Sequence, residues 1–309
     1  MPASLLTQAV RQGKFYFLVN AFICLVAYAS YRLVQQYQES SASYVAVYAA
    51  GLMRIVVMIK WFDWIGTMKG KIFGEKRMQL TPEQCRSIWF RILWLAVPTE
   101  CFMIFLTQRY GAPAKDEPLS WSSFPLEFLL FIPKSLVFEI IFDFFHFSAH
   151  WICHQVPWLY QHAHKRHHIH LHPCPLSTYE QDVIDVYLTN VTPYLFASYL
   201  GFSMSTFQLH LIFAYKTYVE VAGHCGLEIK GSSFPQFPWV NYLSICLRVH
   251  DHDLHHTHPK FNFAKRFSLW DKVFGTFKHG RPLEETKKHK SVPAAPAAPA
   301  APVTPAPAF

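Results

Sequence analysis

Hydrophobic and polar positions along the chain are sorted at the scale of whole segments rather than of single residues. Six apolar segments, Phe15 to Leu33, Tyr44 to Ile65, Ile88 to Leu106, Phe124 to Phe145, Val186 to Phe202 and Thr206 to Ala222, are separated by polar connections. Their lengths approach the ~20 residues that carry a helix across ~30 Å of hydrocarbon, the last two being short. Arg54, Lys60, Arg91, Lys134 and Glu139 fall inside these segments, so one or two of them are expected to be interfacial or re-entrant rather than independently spanning. The pattern predicts an all-α protein, a polytopic membrane bundle of about four to six membrane helices arranged as hairpins.

Charge gives the bundle an orientation. Arg11 and Lys14 precede the first segment, and Lys69, Lys71, Lys76, Arg77 and Arg86 lie between the second and third. The connection Gln35 to Ser43 holds no Lys or Arg, and Gln108 to Ser123 holds only Arg109 and Lys115. Cytosolic connections are the ones enriched in Lys and Arg, so both termini are expected on the cytosolic side. The chain leaving segment four and the chain leaving segment six then emerge on that same side, provided that Val186 to Ala222 runs out and back.

Composition sharpens the class without changing it. A hydrophobic share of 51% with 17% aromatics is too apolar for an ordinary soluble domain. The net charge of +8 sits at segment edges and toward the C-terminus, which suits an anionic lipid surface. No zinc-finger spacing, RNP-type stretch or basic helix with interleaved aromatics points to nucleic acid. The seven cysteines form no CxxC pair, which argues against a disulfide scaffold and against a zinc–thiolate site. The N-terminus shows no cleavable signal pattern. Gly231 to Trp239 is rich in turn residues, and the Ala/Pro repeat from Pro293 reads as a flexible or polyproline-like tail.

The chemistry lies in the histidines. Nine of the eighteen fall between Asp143 and His172, and five more between His250 and His258. Asp143, His146, His150 and His154 share one stripe of a helix. His164-x-x-His167-His168 and His252-x-x-His255-His256 repeat one pattern. Neutral imidazole without thiolate suits iron, zinc, copper or nickel rather than a structural zinc finger. Eight box histidines exceed the needs of one metal, so two metals are the economical expectation. Neighbouring imidazoles of an HxxHH group point about 100° apart on a helix, so one can serve each metal.

The boxes HxxxH, HxxHH and HxxHH, placed after apolar hairpins, resemble the fatty acid hydroxylase superfamily of integral membrane di-iron enzymes. The resemblance covers about Asp143 to Phe277. Its most specific stretches are His154 to Tyr160, His252 to His258, Asn262-Phe-Ala and Leu269 to Thr276, which look most like the sterol 25-hydroxylase and methylsterol oxidase branch. The register implies a ligand set of His150, His154, His164, His167, His168, His252, His255 and His256, with His224 of His224-Cys-Gly226 as a ninth. His146 then sits where the family usually carries an aromatic. Two departures weigh against the methylsterol branch: Asp182 and Asp185 replace a His-Pro-x-Glu element, and Trp151 replaces an arginine.

The resemblance implies two iron ions and O₂ as cosubstrate; zinc can replace iron in a purified protein, because imidazole sites do not strongly select their metal. It implies hydroxylation or desaturation of a C–H bond of a membrane lipid, a sterol first and a long-chain acyl or sphingoid lipid next. Electrons would come from NAD(P)H through cytochrome b5 and its reductase, in the endoplasmic reticulum membrane, with the metal site cytosolic. Lys165, Arg166, Lys260, Lys265 and Arg266 could offer that donor a basic face, although solvated or headgroup-facing charges are the simpler expectation. His162, His170, His172, His250 and His258, with Asp143, Asp251 and Asp253, are expected as supports for the ligands or as plain polar residues. Glu220, one turn before His224, faces the same way on a helix or lies at the interface. Against the enzyme stand a histidine-rich metal transporter or storage protein, disfavoured by the ordered HxxHH spacing, and a non-catalytic family member acting as a metal- and lipid-binding membrane subunit. The expected division is 1–123 for the N-terminal hairpins, 124–285 for the catalytic domain and 286–309 for the tail.

Overall fold

The structure, a computed structural model, describes residues 5–68, 79–110, 119–227 and 234–280. The basic connection Lys69 to Arg77, Lys115, the start of the 231–239 stretch and the Ala/Pro tail lie outside the described residues. Every one of the six apolar segments is helical. They form α1 (Leu5–Gln36), α2 (Ser43–Met68), α3 (Pro82–Arg91) continuing through a π turn into α4 (Val97–Tyr110), and α5 (Phe124–Gln155). After the one-turn α6 (Pro157–Leu159) come α7 (Val183–Val186), α8 (Thr192–Leu200) and α9 (Thr206–His224). The short α10 (Val249–Thr257) and α11 (Leu269–Val273) complete the order. No strand occurs among the described residues, only the isolated bridge between Cys246 and Phe267.

The helix starts are written locally. Thr81 and Ser205 accept from the backbone N–H groups of Gln84 and Gln208, whose side chains return the bond, so α3 and α9 begin with capping boxes. Val156 takes an extended conformation before Pro157 and ends α5, as the residue before a proline does.

Helix α9 is the axis of the bundle. It buries residues around its whole circumference, from Phe207 through Phe213 and Tyr218 to His224, the behaviour of a central helix. Around it pack Ile23 and Ala27 of α1, Met58 and Phe62 of α2, and Phe131 and Phe142 of α5. The outer faces remain apolar: Phe17, Leu25, Trp94 and Leu129 are exposed. Three helices, Gly13–Gln36, Ser43–Met68 and Pro82–Tyr110, are long and apolar enough to cross a membrane, yet protein covers only 39%, 44% and 33% of them. Their remaining apolar surface is matched to lipid. Three of the five charges inside the apolar segments are ion-paired: Arg54 with Glu100, Arg91 with Glu180 and Asp182, and Glu139 with Arg266. Lys134 donates to the Ser203 carbonyl at 2.8 Å, which ties the α8–α9 turn deep alongside α5. The chain from α7 to α9 therefore goes out and back, and brings His224 to the end of α5 that carries His150 and His154.

Candidate metal centre

Four pieces of chain meet at one end of the bundle. Helix α5 delivers His150 and His154 from successive turns. A π turn (Tyr160–His164) and a 3₁₀ turn (His167–Ile169) deliver the second box, which is less regular than the single helix expected from its spacing. The last residue of α9 is His224, and α10 carries the third box. The nine histidines singled out in the sequence fall into two groups, His150, His154, His164, His168 and His255 in one, His167, His224, His252 and His256 in the other. Within each group the ligand nitrogens all lie within 4.8 Å of one another. Each HxxHH box is divided: His164 and His168 join one group while His167 joins the other, and His252 and His256 join the second while His255 joins the first. In α10 the 100° offset of adjacent side chains does this; in the second box the π turn followed by the 3₁₀ turn gives the same division.

The hydrogen bonds fix which nitrogen faces the centre. Nδ1 of His150 donates to the Phe263 carbonyl at 2.6 Å, Nδ1 of His255 to Phe261 at 2.7 Å and Nδ1 of His224 to Glu220 at 2.8 Å. A carbonyl only accepts, so these Nδ1 atoms carry the proton and each Nε2 presents a lone pair. Nδ1 of His164 meets the buried carboxylate of Asp185 at 2.8 Å, the carboxylate–imidazole pairing found behind metal-bound histidines.

The inward nitrogens lie at separations that suit shared ligation of a cation. The Nε2 atoms of His168 and His154 are 3.2 Å apart, those of His168 and His164 3.1 Å, and those of His252 with His224 and with His256 3.2 Å. Metal–imidazole bonds of about 2.0–2.1 Å put two ligand nitrogens about 3.0 Å apart at a right angle and about 3.4 Å apart at the tetrahedral angle. The observed separations lie between these values. Nε2 of His150 and Nε2 of His255 are buried with no hydrogen-bond partner, a costly state for lone pairs unless a metal takes them. The residues present therefore fit two metal ions.

Burial keeps the imidazoles neutral. It pushes His154 down to about 3, His168 to about 2 and His224 to about 4, and holds His150, His167, His252, His255 and His256 well below the ordinary range, neighbouring histidines adding to the effect on most of them. Neutral imidazole is the ligating form. The sign for stability follows. Below about pH 6.5 the unfolded chain protonates these histidines while the folded clusters do not, so stability falls as pH falls. Metal-stripped protein in detergent is expected to show an unfolding midpoint that drops steadily from about pH 6.5 downward; a midpoint flat to about pH 5 would refute buried, neutral clusters.

A strap formed by residues 261–267 holds the ligands from behind. Asp143 accepts from the backbone N–H groups of Lys265, Arg266 and Phe267 at 2.7–2.9 Å. Asp271 accepts from Phe263 and Ala264 at 2.8 and 2.9 Å, and from Thr276 Oγ1 at 2.7 Å. Asn262, with φ +60°, donates to the carbonyls of Asp251 and Lys278. The carbonyls of Phe261 and Phe263 are thereby aimed at His255 and His150. Gly280 donates to Asp251 at 2.8 Å, and a Cβ on it would lie 1.9 Å from the His250 carbonyl oxygen. Gly280→Ala is expected to destabilise the fold by about 3 kcal/mol through this overlap, read as a lower unfolding midpoint; an unchanged midpoint would show that the segment yields freely.

The other candidates are placed as follows. His146 donates from Nδ1 to the Thr189 carbonyl at 2.6 Å and lies outside both groups. His172 pairs with Asp253 at 3.0 Å. His162, exposed, lies against Trp158, and His258 and His279 are exposed. His170 is buried with both ring nitrogens unpartnered, and His210 is buried within α9. The Glu220 side chain turns away from the clusters to Lys216, Lys265 and Arg266. The expected basic face needs correction: Arg266 is buried between Glu139 and Glu220, Lys265 is held by Glu220 and Asn190, and Arg166 is committed to Glu180 and Asp182. Only Lys165 and Lys260 of that set stay exposed and outside any ion pair among the described residues. Asp185 and Asp271 are supports that sequence spacing does not reveal.

Residues 135–276 match the family described as fatty acid hydroxylase. The chain is 31% identical to a fatty acid hydroxylase of Lecanicillium sp, over 45% of this chain and 40% of that one. It is 31% identical to cholesterol 25-hydroxylase of Homo sapiens, over 49% and 54%, and 26% identical to lathosterol oxidase of Rattus norvegicus, over 64% and 62%. The matches thus span about half the length of these curated relatives. No solved structure matches the chain.

Proposed function

We propose that this chain, whose residues 135–276 match the fatty acid hydroxylase family, is a membrane-bound di-iron oxygenase that hydroxylates or desaturates a C–H bond of a lipid. The observation that carries the reading is the pair of buried histidine groups, five and four strong, at one end of an apolar bundle. His150, His154, His164, His168 and His255 would hold one iron, and His167, His224, His252 and His256 the other. The metals, when bound, supply activation of O₂ and removal of hydrogen from the lipid. Hydroxylation balances as lipid C–H, O₂, two electrons and two protons giving alcohol and water.

The chain's own residues do the rest. The strap carbonyls, the Glu220 carbonyl and Asp185 hold four imidazoles in a single tautomer, so the inward lone pairs are set before metal or substrate arrives. Burial of both groups keeps bulk water from the reacting carbon.

A sterol is the first substrate class, supported by the similarity to cholesterol 25-hydroxylase. A long-chain acyl lipid is the second reading, because the fungal fatty acid hydroxylase is matched at the same identity. The electrons are assigned to NAD(P)H through cytochrome b5 and its reductase. The chain is placed in the endoplasmic reticulum membrane as a multi-pass protein with both termini and the metal centre cytosolic. Residues 1–123 form the membrane hairpins, 124–285 the catalytic domain and 286–309 the tail.

Expression in a host that supplies cytochrome b5 and its reductase, followed by lipid mass spectrometry, tests the activity. Gain of one oxygen supports hydroxylation and loss of two hydrogens supports desaturation. A lipid profile identical for wild type and His164→Ala would sink the enzyme reading.

A further inference from the structure

An apolar trough runs between α1 and the start of α5, far from the histidines. It has a volume of about 530 Å³ and is walled by residues such as Phe17, Leu25, Phe124 and Phe128. Its end is marked by Tyr28 and Trp121, whose rings lie 5.7 Å apart. There it shares Tyr28 and Arg32 with a second cavity of about 430 Å³ that is completed by Gln35 and Gln36. The pair is amphipathic: an apolar trough opening into a polar vestibule.

Along α5, Phe128 and His150 are about 22 residues apart, which is roughly 33 Å of helix. That is about the thickness of the hydrocarbon core. The vestibule therefore lies in the leaflet opposite the metal centre, and a headgroup held there sits about 33 Å from the oxidising site. Tyr28 and Trp121 stand where interfacial aromatics do.

We propose that this trough and vestibule bind an anionic phosphoglyceride of that leaflet, acyl chain in the trough and phosphate at Arg32. Charge selects this occupant. Among the described residues Arg32 is the only charge lining either cavity; it lies over the Tyr28 ring at 5.9 Å and donates to the Tyr28 hydroxyl at 3.1 Å. It has no carboxylate partner among the described residues, and its fork of donors matches phosphate oxygens. The amides of Gln35 and Gln36 supply the further polar partners that a headgroup needs. A sterol, with one hydroxyl, would leave most of the vestibule unfilled. The site is independent of which lipid is oxidised.

The test uses the full chain reconstituted in vesicles of phosphatidylcholine, with or without phosphatidylglycerol or cholesterol, then extracted in mild detergent for native mass spectrometry. Wild type is expected to retain phosphatidylglycerol about tenfold better than phosphatidylcholine, the scale of one charge-assisted contact. Arg32→Gln is expected to lose that preference, Arg32→Lys to recover part of it, and Leu25→Trp to lose both phospholipids by filling the trough. Metal content equal to wild type reads intact folding, and the two variants at Arg32, an exposed position, decide the matter if Leu25→Trp does not fold. Equal retention of the two phospholipids by wild type, unchanged retention by Arg32→Gln, or cholesterol held in place of phospholipid would each overturn the proposal.

Discussion

Alanine at His164 is expected to reduce lipid oxidation by more than about a hundredfold and, with one ion in each histidine group as proposed, to lower bound metal from two ions per chain toward one. The floor comes from a comparison: loss of a partner behind a metal-bound histidine already costs 10–100-fold, and His164 itself would be the ligand. Its Nε2 lies 3.1 Å from that of His168, so its removal leaves a gap in the five-histidine group that no neighbouring donor fills. His167→Ala is expected to produce the same loss through the other group, since the two residues of one box lie in different histidine groups. His162→Ala is the control, because that ring is exposed beside Trp158 and touches neither group. Metal per chain by elemental analysis and product by mass spectrometry check all three. Full turnover by His164→Ala, or a zero metal count for His162→Ala, would contradict the assignment of ligands.

The division of the third box between two groups was legible from helical geometry; the second box divides the same way on a π turn and a 3₁₀ turn that its spacing does not foretell. Also legible was the requirement that the chain between segments four and six go out and back, because the boxes flank two apolar segments that have to return to the same side. What could not be read was anything that depends on contacts across long separations. Asp143 shows in sequence as part of the histidine stripe. Its carboxylate instead accepts three backbone N–H groups from residues 265–267, more than a hundred positions away. Arg266 and Lys265 look like surface charges because their run is basic, yet buried Glu139 and Glu220 draw them inside. The stretches Asn262-Phe-Ala and Leu269 to Thr276 are recognisable in sequence as words; their physical reason, a strap whose carbonyls orient His150 and His255, appears only in three dimensions.

The same distinction gives a second large effect. Asp185→Ala is expected to lower activity and metal affinity by about 10–100-fold while leaving the bundle folded. Asp185 is fully buried and meets His164 Nδ1 at 2.8 Å, and its Oδ2 accepts from Gln181 at 3.2 Å. Without the carboxylate, His164 loses the group that holds the proton on Nδ1 and directs Nε2 inward, so its ring can populate the wrong tautomer or rotate. Asp182 is the internal comparison. It is three residues away and also acidic, but it pairs with Arg91 and Arg166 rather than with a histidine. Asp182→Ala is expected to change activity by less than about threefold, because partly exposed ion pairs contribute about 0–1 kcal/mol. A purely structural role for Asp185 would lower the unfolding midpoint and activity together with metal content preserved in the folded fraction. Support of a ligand instead lowers the metal affinity of folded protein, measured by competition with a chelator, and Asp185→Glu or Asp185→Asn, each still offering an oxygen acceptor, should recover part of it.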